Sequence, residues 1–122
     1  MASQNPSISL HVKLTVAPES VDKFLEALKP AYDAVIAEPK CTFFEVFQNP
    51  NAPGEFKFIE NWDATVDWLQ NVQLKKEYYK PYLAATEPLW LKPREMELWE
   101  RMPGPNWVSV SKENLPTGYA VS

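Results

Sequence analysis

The stretch "ISLHVKLTV" alternates strictly. Ile8, Leu10, Val12, Leu14 and Val16 point one way, and Ser9, His11, Lys13 and Thr15 the other. A period of two over β-branched residues predicts a strand with one buried face. The period then changes. Val21, Phe24, Leu25, Leu28, Tyr32, Val35 and Ile36 recur at helical spacing and form one apolar stripe. Pro18 suits the start of that helix, Ser20 its cap, and Pro39 ends it. Pro30 falls inside and predicts a kink or a weakened turn.

"CTFFEVFQN" reads as a second strand with Phe43, Glu45 and Phe47 on one face and Phe44 and Val46 on the other. Apolar residues on both faces predict that both are covered. "PNAPGE" reads as a hairpin loop. In "FKFIENW", Phe56, Phe58, Glu60 and Trp62 share one face of a third strand, and Ile59 and Asn61 the other. Asp63 is placed to cap a short helix, "ATVDWLQN". A second helix is expected from Gln73 to Thr86, with Leu74, Tyr78, Tyr82 and Leu83 inward. "LWLKPREMELWERM" supplies the last strand, with Pro93 near its start.

The order β-α-β-β-α-β predicts an α+β, ferredoxin-like fold with a four-stranded antiparallel sheet. Helices cover one face of such a sheet. The other carries Phe, Trp or Met side chains, which predicts a homodimer with the partner's sheet packed on it. Residues 1–102 form this domain. Residues 103–122 read as a C-terminal tail whose Trp107, Val108, Val110 and Tyr119 suggest an arm packing on the partner.

Composition narrows the class. A chain of 122 residues, 45% hydrophobic and 23% charged, is one folded soluble domain. A net charge of −4, with no basic run longer than Lys75-Lys76, excludes nucleic acid as the main partner. Cys41 is the single cysteine, so neither an internal disulfide nor a cysteine-based metal site is expected, and the location expected is cytoplasmic. The N-terminus does not read as a signal peptide, and no apolar run reaches membrane-spanning length. With three glycines and one histidine, there is no dinucleotide fingerprint and no metal cluster. No nucleophile elbow is found either. The expected cofactor is none. His11 has the ordinary pKa of a base near neutrality, although its parity faces it away from the helices. Glu60, if buried, would titrate high enough to serve as a base.

Several marks together resemble one family: the exit from the first strand, the helical "FLEAL", the helix end "EPKC", the hairpin "NPNAPGEF" and the strand end "ENW". They make residues 8–102 similar to antibiotic biosynthesis monooxygenase-like domains of the dimeric α/β-barrel superfamily. Lys40 departs from the glycine that family members often carry there. The haem-degrading branch of that superfamily would need an Asn, a Trp and a His. Trp68 matches the Trp, but Val12 and Tyr78 stand at the other two positions, so haem is not expected.

The resemblance implies a pocket between sheet and helices. Val12, Phe58, Trp62, Trp68 and Tyr82 are the expected substrate-binding residues, and His11, Glu60 and Tyr78 the expected catalytic ones. A cofactor-independent monooxygenase acting on an aromatic or polyketide-type molecule of secondary metabolism is the leading expectation. A non-oxidative isomerase, cyclase or dehydratase on the same scaffold stays open, as does a non-enzymatic dimeric binding protein.

Overall fold

A computed structural model describes residues 7–111. The elements are β1 (Ile8–Thr15), α1 (Val21–Ile36), β2 (Cys41–Asn49), β3 (Ala52–Trp62), α2 (Val66–Asn71), α3 (Tyr79–Thr86) and β4 (Glu95–Glu100). The strands form one sheet in the order β2-β3-β1-β4, with every neighbouring pair antiparallel. This is the expected ferredoxin-like α+β architecture.

Register decides which side chains meet. Residues directly opposite in an antiparallel pair share a face. One inward row runs Phe44, Glu60, Leu10, Leu98, and the next runs Val46, Phe58, Val12, Met96. Glu60 is thus the one ionisable group in these two rows. The α1 stripe closes over them, with Phe24, Leu28, Ala31 and Val35 buried. The Phe24 ring lies 5.0 Å from Phe56, and Tyr32 meets Phe44 edge-on at 5.1 Å. The opposite sheet face carries the row Glu45, Ile59, His11, Glu97 and the row Phe43, Asn61, Ser9, Trp99. Trp99 and Phe47 are exposed there.

Several boundaries move for local reasons. The hairpin shrinks to Pro50-Asn51, because Asn49 Oδ1 accepts from the Asn51 N–H at 2.8 Å and β3 starts at Ala52. Ser20 makes no capping bond; Pro18–Ser20 form a short 3-10 turn that leads into α1. The helix runs unbroken through Pro30, which faces solvent. The α2 cap is Thr65, not Asp63: Thr65 Oγ1 accepts from the Trp68 N–H at 3.0 Å. The single helix expected over 73–86 is interrupted. Gln73–Lys75 form a 3-10 turn, Lys76 is extended, and α3 begins at Tyr79. Pro81 explains the break, since in a continuous helix its ring would clash with the carbonyl of Glu77. β4 is shorter than expected, and Pro93 lies just before it.

Residues 102–111 contain no helix or strand and expose Trp107, Val108 and Val110. Tyr119 and the remainder of the tail lie outside the described residues.

Candidate active site

The inward rows of β1 and β3, the inner face of α1 and the first turns of α3 line a cleft that is open to solvent at its mouth. Leu10, Val12 and Phe58 form its floor, and Leu28 and Val35 its α1 wall. Its polar groups are few. Glu60, Tyr32, Tyr79, Tyr82 and Arg94 interrupt a surface that is otherwise mainly apolar. A concave apolar space with a small set of convergent polar groups is the usual form of a small-molecule site.

Glu60 is the buried carboxyl of this lining. Its residue is 6% exposed, with Leu10 and Phe44 as its cross-strand neighbours. Burial penalises the carboxylate and pushes the pKa up to about 7. The Trp62 indole N–H, which donates to Glu60 Oε1 at 3.1 Å, and the Arg94 charge pull the other way. The result is a carboxyl that exchanges a proton near neutrality.

Tyr82 is 7% exposed, and its buried Oη has no hydrogen-bond partner. Leaving a buried hydroxyl unpaired costs roughly 1–3 kcal/mol, so this phenol is available to a ligand oxygen. Burial raises its pKa to about 12, keeping it protonated as a donor, with the Arg94 charge opposing. Arg94 is half-buried and sits 5.6 Å from the Trp90 ring centroid, supplying positive charge to the same space.

The expected residues divide into two groups. Val12, Phe58, Glu60 and Tyr82 line the cleft, whereas Trp62, Trp68, Tyr78 and His11 do not. Trp62 is fully buried and orients Glu60. Trp68 backs Trp62 at 6.1 Å between ring centroids and carries the Lys40 ammonium 5.5 Å from its own centroid. The Tyr78 hydroxyl donates to Glu38 Oε2 at 2.7 Å and accepts from Gln73 Nε2 at 2.6 Å. That phenol is therefore committed to Glu38 and Gln73. His11 lies on the opposite sheet face, with Nε2 2.9 Å from Ser9 Oγ and its ring 6.3 Å from Trp99. Burial and the Lys57 charge lower its pKa, opposed by Glu97. Arg94 and Tyr79 were not foreseen. The parity of Arg94 with Met96 and Leu98 was the available signal for it.

Among the described residues, no group of three or more His, Cys, Asp or Glu side chains could hold a metal ion. No helix among them is long and apolar enough to cross a membrane.

The two-layer α+β fold thus sets a buried carboxyl in an apolar cleft between sheet and helices. The antibiotic biosynthesis monooxygenase profile matches residues 7–76, more than half of the chain, and the protein belongs to that family. It is 50% identical over 109 residues to a Pestalotiopsis microspora protein named "Putative monooxygenase GME11364", covering 89% of this chain and 91% of that relative. Among solved structures it is similar to a "Putative antibiotic biosynthesis monooxygenase from Nitrosomonas europaea". That match has a TM-score of 0.73 and 17% identity over 84% of this chain and 97% of the other. A counterpart from Caulobacter crescentus gives a TM-score of 0.70 at 22% identity, covering 80% and 92% of the respective chains. At these identities the solved structures speak for the fold alone.

Proposed function

We propose that the chain is a cofactor-independent monooxygenase acting on a flat aromatic or polyketide-type small molecule of secondary metabolism. The observation that carries this reading is Glu60, a carboxyl with a pKa of about 7 set among apolar residues in an open cleft. Family membership and the monooxygenase-named relative support the reaction class.

The chemistry asks for a base, a dry pocket and donors for a developing oxyanion. In this reading the Glu60 carboxylate takes a proton from an activated methylene of the substrate. The resulting carbanion, paired with Arg94 and hydrogen-bonded by Tyr82, passes one electron to O2. Radical and superoxide combine, and Glu60 returns its proton to give a hydroperoxide. Loss of the second methylene proton then breaks the O–O bond. Methylene and O2 become a ketone and water.

The same Glu60 would serve a non-oxidative isomerisation or dehydration, so dependence on oxygen decides between the readings. Anthrone is a suitable test substrate. Oxygen uptake with anthrone, without added metal or flavin, is the expected result; equal turnover under strict anaerobiosis would overturn it. His11 has no direct role in this scheme. We further propose a homodimer that buries the outer sheet face carrying Phe43, Phe47 and Trp99, in the cytoplasm, with the tail from residue 103 packing on the partner.

A further inference from the structure

We propose that Tyr79 is the second ligand-binding phenol of the cleft and that Gln73 is its positioning residue, held from outside by Tyr78 and Glu38. The inference rests on the reading of the cleft as a small-molecule site. It concerns a side-chain network that the chemistry above leaves unused.

Gln73 is fully buried, an unusual place for an amide side chain. Its Nε2 donates to two phenols at once, to Tyr78 Oη at 2.6 Å and to Tyr79 Oη at 2.9 Å. Both N–H groups of the amide are thereby used, while its Oε1 is buried without a partner. Tyr78 passes its own hydrogen to Glu38 Oε2 at 2.7 Å, and Lys76 Nζ lies 3.5 Å from the same oxygen. This fixes the direction of the network. A reversed amide would set Oε1 2.6 Å from a phenol oxygen whose hydrogen already goes to Glu38.

The consequence falls on Tyr79, whose ring packs 4.9 Å from Tyr78 and lines the cleft. Its oxygen is occupied as an acceptor, so its remaining capacity is as a donor. Without a ligand that hydrogen goes to the Tyr78 oxygen, whose other lone pair accepts from Gln73. A carbonyl or phenolic oxygen of a ligand in the cleft competes with Tyr78 for it. Burial raises the pKa of Tyr79 far above its ordinary value, so it stays a donor throughout the accessible pH range. With Tyr82 on the adjacent turn of α3, the cleft then offers two phenolic donors. That pattern suits a ligand bearing two oxygen acceptors along one edge, as in oxygenated fused-ring ketones.

Alizarin, a planar dihydroxyanthraquinone, is the probe. Its affinity is read from quenching of tryptophan fluorescence, and the state of Tyr79 from the Cζ resonance of isotope-labelled tyrosine, assigned by its loss in Tyr79→Phe. Without ligand, Gln73→Leu should move the Tyr79 resonance and leave that of Tyr32 in place. Tyr78→Phe keeps the ring packing and should move it also, which preserves the test if Gln73→Leu does not fold. With alizarin, Tyr79→Phe and Gln73→Leu should each weaken binding about tenfold, the size of one lost hydrogen bond. The double variant should be no weaker than Tyr79→Phe alone. An unmoved resonance, or two losses that simply add, would overturn the proposal. Absence of alizarin binding by the wild-type chain would sink the aromatic-ligand reading instead, and the unliganded resonance would still judge the clamp.

Discussion

The Trp62 indole N–H donates to the Glu60 carboxyl at 3.1 Å, with both side chains on the inward face of β3. Trp62 is fully buried and makes no part of the cleft wall. Its bond steadies the carboxyl in one orientation and holds its pKa below what burial alone would give. The tryptophan therefore acts on the site through Glu60.

Replacing Glu60 separates its chemical and structural effects. Glu60→Gln keeps an oxygen for the Trp62 N–H to donate to but removes the base. Turnover should fall by roughly 100-fold or more, the usual contribution of a positioned general base. Stability should change in the opposite sense. The folded pKa is about 7, above the ordinary carboxyl value. The folded state therefore favours the protonated form, and ionisation destabilises it. The penalty is absent below the unfolded pKa, grows as pH rises from about 4 to about 7, and is complete above that. Glu60→Gln should accordingly raise the melting temperature at alkaline pH and leave it nearly unchanged in acid. Thermal denaturation at the two extremes checks this.

Arg94 should tune the same group. Its charge lowers the Glu60 pKa. In Arg94→Met that support is lost, so the acid limb of the pH–rate profile should move to higher pH. Turnover at neutral pH should fall, most for substrates that develop negative charge. A limb at its wild-type position would remove Arg94 from the electrostatics of the site.

Gly54 is a backbone requirement. A Cβ built there would lie 1.9 Å from the Val16 carbonyl oxygen, where the Val16 N–H bonds to Gly54 O at 2.8 Å. Gly54→Ala should destabilise by about 2 kcal/mol, within the range for forced overpacking. Chemical denaturation gives the number, and an unchanged midpoint would contradict the close approach.

Thr65 caps α2 through its Oγ1. Thr65→Ala should cost about 1 kcal/mol, whereas Asp63→Ala should lack that capping loss. The comparison tests the placement of the cap two residues beyond Asp63.

The strand alternation made most of this fold legible. In "FKFIENW" parity grouped Glu60 with Phe56, Phe58 and Trp62, and the structure finds all four buried on the helix-covered face. The same parity set His11 apart from the pocket. The second half of the chain was harder because helical phase depends on where a helix starts. Reading one helix from Gln73 aimed Tyr78 inward. The actual break before Tyr79 places Tyr79 and Tyr82 on the cleft and turns the Tyr78 hydroxyl to Glu38. Pro81 carried that information, since a proline in a first turn marks a helix start. Arg94 was missed because no faces were assigned along the last strand, although parity sets it with Met96 and Leu98. Trp68, read as a wall, sits behind Trp62, because only packing decides which of two neighbouring rings reaches a cavity.

Oxygen uptake with anthrone, followed from about pH 5 to about pH 9 in wild type and Glu60→Gln, tests the central claim most directly. Wild-type uptake should rise along a limb centred at about 7, the Glu60 pKa. The variant should show little uptake and no such limb. An uptake profile that Glu60→Gln leaves unchanged would contradict the account.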